Sequence, residues 1–255
     1  MTLVLRHVAD GIGTITLNRP EQMNALTVAL GGELERAILE LGGDPGVNVV
    51  VIRGAGGNFC AGGDFNEVEL LRANGPDALR PLFVSFRRAC DAIARVEVPV
   101  VAAVQGVAAA GGFELMQASD IVLVSDDAKI ADNHIRFGMI PGGGSTQRLS
   151  RLVGRQEALG LLLSGDRMSG ADAVRRGLAY RSFPATEFEA AIHRFATDLA
   201  SRNRQAVISI KRLVYTSLEA SLPIGLADEI DCVVEHICGR AGQNGVTAFR
   251  QRGAD

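Results

Sequence analysis

Hydrophobic positions along the chain change period from segment to segment, and each change marks an element. Ile12 to Leu17 alternates, with Ile15 and Leu17 on one face, and predicts a strand running into an Asn18-Arg19-Pro20 turn. Leu30, Leu34, Ile38 and Leu41 follow helical spacing and stop at Gly42-Gly43. Val49 to Ile52 is a short unbroken apolar run and predicts a buried strand. Leu79, Phe83, Phe86, Cys90 and Ile93 mark one face of a longer helix. Pro99 leads into a strand over Val100 to Val104, and Ile121 to Val124 predicts another. From about Thr186 the pattern is helical, with a stripe at Phe188, Ile192, Phe195 and Leu199 and a more apolar stretch from Ile224 to Ile237. Strands alternating with helices argue an α/β fold, and periodicity alone allows a doubly wound sheet. Gly239 to Asp255 is polar and reads as a tail; no repeat, low-complexity tract or interdomain linker stands out.

One apolar run breaks this order. Val104 to Leu115 carries Gln105 and then Ala110-Gly111-Gly112-Phe113-Glu114. A carboxylate placed among apolar residues is costly unless it has a partner or a task. The two glycines let a backbone N–H approach a ligand closely. With a helix opening near Gly112, the Gly111 N–H lies at its positive end. An aimed N–H with a carboxylate one turn later suits acyl chemistry, one steadying an enolate oxygen and the other moving a proton. The plainer alternative is a tight strand-to-helix turn with a solvated glutamate. A second glycine-rich stretch, Gly54 to Asp64, follows the Val49 to Ile52 strand. It is not a phosphate loop, since no Lys-Ser or Lys-Thr follows and no GxGxxG is completed.

At these residues the chain resembles the enoyl-CoA hydratase/isomerase (crotonase) superfamily. Asn18-Arg19-Pro20-Glu21-Gln22-Met23-Asn24-Ala25-Leu26 is similar to that family's opening motif. Phe59 to Asp64 resembles its first oxyanion loop and Ala110 to Leu115 its second. Ile140 to Leu149 resembles its downstream glycine-rich signature. The resemblance implies stacked ββα units wound in a spiral over residues 1–185, and a C-terminal helical region over 186–255 that makes trimer contacts, often with two trimers stacked. Intramolecular packing is the alternative for those helices.

The resemblance also implies a site. The N–H groups of Gly63 and Gly111 would hold a thioester oxygen as it gains charge, worth about 3–4 kcal/mol per donor. Glu114 would activate the water that adds to C3 of an enoyl thioester. Gln22, Met23 and Ala61 would lie along CoA, which enters as part of the substrate, with no further cofactor. Arg252 sits near a C-terminal basic residue that touches CoA phosphate from a neighbouring subunit, and is otherwise a solvated arginine. Residues Val68 to Leu82 would line the acyl pocket.

Two departures stand out. Hydratases carry a second catalytic glutamate before the Ile140-Pro141-Gly142 signature, and alignment places His134 there, 134 − 114 = 20 residues after Glu114. An imidazole passes protons near pH 7, so His134 could be the acid at C2, could shape a pocket for another substrate, or could be a hydrogen-bonded loop histidine. Asp132 could stand in if the backbone differs locally. Glu21 occupies a position where relatives often have a lysine near the nucleotide.

Composition trims the alternatives. The 255 residues carry a net charge of −3, and only Lys129 and Lys211 among 26 basic residues are lysines, which argues against nucleic acid. No GxSxG is present, which disfavours a serine hydrolase of spiral fold. Cys60, Cys90, Cys232 and Cys238 form no CxxC and read as free thiols of a cytoplasmic protein. Cys232, His236 and Cys238 could suggest a metal, but Val233, Val234 and Ile237 beside them read as a packed helix face, so no metal is expected. No membrane span is found. The leading expectation is an acyl-CoA lyase of the hydratase kind. Isomerisation, C–C hydrolysis or decarboxylation on the same oxyanion hole, and an inactive binding protein on the same fold, are the alternatives.

Overall fold

The computed structural model describes residues 2–239 and Gly242. Arg252, and nearly all of the polar tail from Gly239 onward, lie outside the described residues.

A six-stranded sheet forms the frame. It uses β1 (Val4–Ala9), β2 (Ile12–Leu17), β3 (Val49–Gly54), β4 (Val100–Val104), β6 (Ile121–Ser125) and β8 (Arg181–Phe183), in the order β1-β2-β3-β4-β6-β8. β1 and β2 are antiparallel, paired from Val4 opposite Leu17 to Ala9 opposite Ile12; the other neighbours are parallel. A second layer is built from β5 (Val107–Ala109) and β7 (Lys129–Ala131), which pair in parallel. Two loop segments extend it, for Cys60 bridges to Ala108 and Gly63 to Leu26. Each of β2, β3, β4 and β6 therefore runs from the large sheet into a short partner in the small one. That is the ββα repeat.

The helices follow. They are α1 (Val28–Gly43), α2 (Phe65–Ala73), α3 (Pro76–Arg95), α4 (Gly111–Ala118), α5 (Ser145–Val153), α6 (Arg155–Ser164) and α7 (Gly170–Arg175), then α8 (Phe188–Ala200), α9 (Arg204–Ser217) and α10 (Leu222–Cys238). α1 starts where Thr27 Oγ1 accepts the Leu30 N–H at 3.0 Å, and it buries the stripe Leu30, Leu34, Ile38 and Leu41 that the spacing predicts. α3 turns Leu82, Phe86, Ala89, Cys90 and Ile93 to the core. Phe83, expected on that face, is 40% exposed, because the N-terminal half of α3 overhangs a cavity instead of the sheet.

The strands are apolar on both faces because both faces are covered. Val50 and Ile52 of β3 join the core shared with α1 and α3. Val49 and Val51 join Val101, Ala103 and Leu123 under Phe188, Ile192 and Ala196 of α8. Thus α8 closes the second face of the sheet. α9 is held by Lys211, whose Nζ reaches Asp120 Oδ2 at 2.7 Å and the carbonyls of Ile93 and Val98, while the Tyr215 hydroxyl donates to Asp120 Oδ1 at 2.6 Å. α10 leaves Leu226, Ile230, Val233, Val234 and Ile237 exposed. The packed face expected around Cys232 and Cys238 is therefore not formed within the chain: Cys60 and Cys90 are buried, Cys232 is half-buried and Cys238 is exposed. Among the described residues no helix is long and apolar enough to cross a membrane, and no three His, Cys, Asp or Glu side chains gather as a metal site.

Candidate active site

The two glycine loops meet because the small sheet ties them together. Cys60 N–H donates to Val107 O at 3.0 Å, and Ala109 N–H returns to Cys60 O at 3.0 Å. A Cβ on Gly112 would stand 2.0 Å from Cys60 O, so only glycine fits there. A Cβ on Gly62 would stand 3.2 Å from Gly111 N. Ala110 turns the chain into α4 with φ 47 and ψ −116, a costly conformation for a residue with a Cβ. It makes Gly111 the first residue of α4, whose N–H has no acceptor in its own helix.

The Asn18 to Leu26 segment, which the sequence connects with CoA, also braces the first loop. Asn24 is fully buried; its Oδ1 accepts the Arg19 N–H at 2.9 Å, and its Nδ2 donates to Ala55 O and Asn58 O at 2.9 and 2.7 Å. Arg19 reaches Asp64 Oδ2 at 2.7 Å and also bonds Ala25 O. Asp64 caps α2 through Asn66 N and Glu67 N. Burial opposes ionisation of Asp64, but the Arg19 guanidinium and the two amides outweigh it and hold the carboxyl below its usual range. Gln22 and Met23 are exposed beside the loop, and Met23 O accepts the Ala61 N–H at 3.0 Å.

Glu114 is 2% exposed, which excludes the solvated-glutamate alternative. Its Oε1 accepts the N–H groups of Gly143 at 2.7 Å and Ser145 at 3.1 Å, so Oε2 is left to meet a bound molecule. Arg148 fixes that loop by donating to Gly143 O at 2.6 Å and to Asp91 Oδ1 at 3.2 Å. Burial lifts the Glu114 carboxyl above its usual range against the pull of the Ser145 amide, His134 and the Gly143 amide.

His134 opens a 3-10 turn, His134–Phe137, after β7. Its Nδ1 lies 2.6 Å from Asp132 Oδ1. Asp132 is 1% exposed and lies behind the histidine, outside the cavity wall. Burial opposes the imidazolium, but the Asp132 hydrogen bond and charge and the Glu114 charge outweigh it, and His134 is raised above its ordinary value.

A cavity of about 300 Å³ joins these groups. Gly63, Gly111, Glu114 and His134 face it together with Ala61, as do Val68 and Leu82 at the two ends of the expected acyl segment. Phe83 of α3 adds to an apolar wall with Phe65, Phe137 and Ile140, three residues that sequence periodicity did not single out. Such an arrangement offers backbone N–H donors, a carboxylate held by two amides, an imidazole and an apolar enclosure. That is the equipment of an enzyme acting on an activated acyl group.

Comparison with known proteins agrees. The family model for enoyl-CoA hydratase/isomerase matches residues 7–254. The chain is 33% identical to the probable enoyl-CoA hydratase echA8 of Mycobacterium bovis over 243 residues, covering 95% of this chain and 93% of that one. It is 33% identical to the mitochondrial enoyl-CoA hydratase of Pongo abelii, covering 94% and 81%. The crystal structure of an enoyl-CoA hydratase from Bacillus anthracis superposes with a TM-score of 0.92 at 29% identity, covering 98% and 97%. The chain belongs to the enoyl-CoA hydratase/isomerase family.

Proposed function

We propose that this chain is an acyl-CoA lyase of the enoyl-CoA hydratase type, adding water across the 2,3 double bond of an enoyl-CoA. The observation that carries the proposal is Glu114, sealed from bulk water yet held by two amides, facing one cavity with Gly63, Gly111 and His134. The Gly63 and Gly111 N–H groups receive the thioester oxygen. Glu114 Oε2 takes a proton from water as its oxygen bonds C3 and the π electrons move to the thioester oxygen. The enolate then collapses, C2 takes a proton from His134 Nε2, and the proton on Glu114 returns through solvent to the imidazole. Gln22, Met23 and Ala61 line the path of CoA, which is substrate and not a resident cofactor. Among the described residues Glu114 and His134 are the only ionisable ones in the cavity wall, which suits an apolar, uncharged acyl group. The buried free thiols of Cys60 and Cys90 suit a cytoplasmic protein, and the exposed apolar side of α10 suits a homotrimer or a dimer of trimers.

A second reading has one observation in its favour, an imidazole and not a second carboxylate facing the cavity beside Glu114. It supports double-bond isomerisation or another reaction through the same enolate. The deciding experiment is a screen of short, medium and aromatic enoyl-CoAs, following loss of the conjugated thioester absorbance. Hydration by wild type, suppressed in His134→Ala and kept in His134→Glu, is expected. No hydration by wild type, with His134→Glu gaining it, would replace lyase by the second reading.

A further inference from the structure

The Asp132–His134 contact is not used in the mechanism above, and it has the geometry of an orienting pair. β7 ends at Ala131, whose carbonyl accepts the Ala110 N–H at 3.0 Å, so the strand end is tied to the turn that aims Gly111. Asp132 leaves the strand inward and is sealed from water. Its Oδ1 meets His134 Nδ1 at 2.6 Å and the His134 backbone N–H at 3.4 Å. Its Oδ2 is buried without a hydrogen-bond partner. A carboxylate in that position is tolerated only beside a positive or strongly donating group. The charged groups facing the imidazole are Asp132 and Glu114. Arg136 on the same turn pairs with Asp166, and Glu157 of α6, packed beneath the turn, pairs with Arg176.

We propose that Asp132 is a positioning residue for His134, fixing the imidazole with its proton on Nδ1 so that Nε2 is the nitrogen presented to the cavity and the one that carries the proton to C2. This deepens the reading of His134 given above and rests on it. The carboxylate contributes twice. It selects the tautomer, and it stabilises the imidazolium that must be present before the proton is given. Asp132 holds the same proton on Nδ1 throughout, and no proton passes to its carboxylate. Asparagine at 132 would preserve size and remove the charge, and its amide could donate to Nδ1 and invert the tautomer.

The test uses the full chain in two arms. The first is nitrogen-15 NMR of the imidazoles without substrate; the chain has four histidines, and His134 is assigned by the signal lost in His134→Gln. Nδ1 protonated across the titration with Nε2 titrating is expected. In Asp132→Asn the His134 midpoint should fall by about one pH unit. An Nε2–H neutral tautomer in wild type, or an unmoved midpoint in Asp132→Asn, overturns the proposal. The wild-type measurement decides even if the variant does not fold.

The second arm is turnover of the best enoyl-CoA. Asp132→Asn should lower kcat by about 10–100-fold with KM within about twofold, and the alkaline limb of the pH profile should move down with the NMR midpoint. A loss confined to KM, or an unmoved limb, overturns the proposal. If His134→Ala leaves turnover intact, it is the role of His134 itself that fails, and the first arm still reports whether Asp132 sets the tautomer.

Discussion

Glu114 carries opposing demands in one side chain. The proposed mechanism needs it buried as a base, and the fold must then bear the cost of an ionised carboxyl away from water. Because burial raises its folded pKa above the ordinary carboxyl value, the folded state holds the proton more firmly than the unfolded chain. The penalty is therefore absent below about pH 4, grows as pH rises through the window between the two values, and is complete above the folded value. Glu114→Gln keeps the oxygen that the Gly143 and Ser145 amides need and removes the charge. Its Tm should exceed that of wild type at neutral pH, by about 2–4 °C for each kcal/mol relieved, and the gain should vanish near pH 4. Turnover should fall by about 10²–10⁴ while acyl-CoA binding survives. A calorimetric pair at the two pH values, with isothermal binding, checks both. A Tm equal to wild type at neutral pH would mean that the amides already compensate the charge.

At the scale of elements, the glycine-rich run before α5 acts as a clamp. Ser145 is fully buried, and its hydroxyl accepts from Gln117 Nε2 at 2.7 Å, so α5 and α4 are joined beneath Glu114. A side chain at Gly143 would press a Cβ to 2.3 Å from the Phe86 ring and 2.8 Å from Glu114 Oε2. Arg148 is one turn into α5 and holds the Gly143 carbonyl from behind. Arg148→Leu removes that hold without touching the cavity wall. It should lower kcat by about tenfold, with KM for the thioester and the far-ultraviolet circular dichroism near wild type. Unchanged kcat would mean that the two amides stay aimed without Arg148.

At the scale of the whole molecule, the C-terminal helices divide. α8 is spent on the second face of the sheet, and α9 is bound through Lys211 and Asp120. The α10 stripe Leu226, Ile230, Val234 and Ile237, at helical spacing, faces outward. An apolar stripe of this kind is unusual on a monomer. If copies of this chain cover it, as the trimer proposal holds, Ile230→Glu with Val234→Glu should lower the solution mass measured by light scattering to that of one chain. A wild-type mass already equal to one chain, or a double variant of unchanged mass, would move the contact elsewhere.

Periodicity by itself determined the strands at Ile12, Val49, Val100 and Ile121, the α1 stripe and the helical C-terminal region, because those segments bury a face at a fixed period. The short strands β5, β7 and β8 are three residues each, too brief to show a period, and β1 is an edge strand exposed along most of its length. The glycines around Glu114 were legible as a device because a carboxylate inside an apolar run demands a reason. What that carboxylate rests on was not legible, since the Gly143 and Ser145 amides lie 29 and 31 residues away. The Asn24 and Arg19–Asp64 brace was hidden in the same way, its partners brought in by sheet pairing. His134 could be placed by alignment, but its partner Asp132, two residues before it, could be recognised only when the end of β7 showed which of the two faces the cavity and which lies behind. Local sequence fixes what a segment buries. Tertiary structure decides which distant groups then share the buried space, and at Glu114 those distant groups are the two amides that hold the carboxylate.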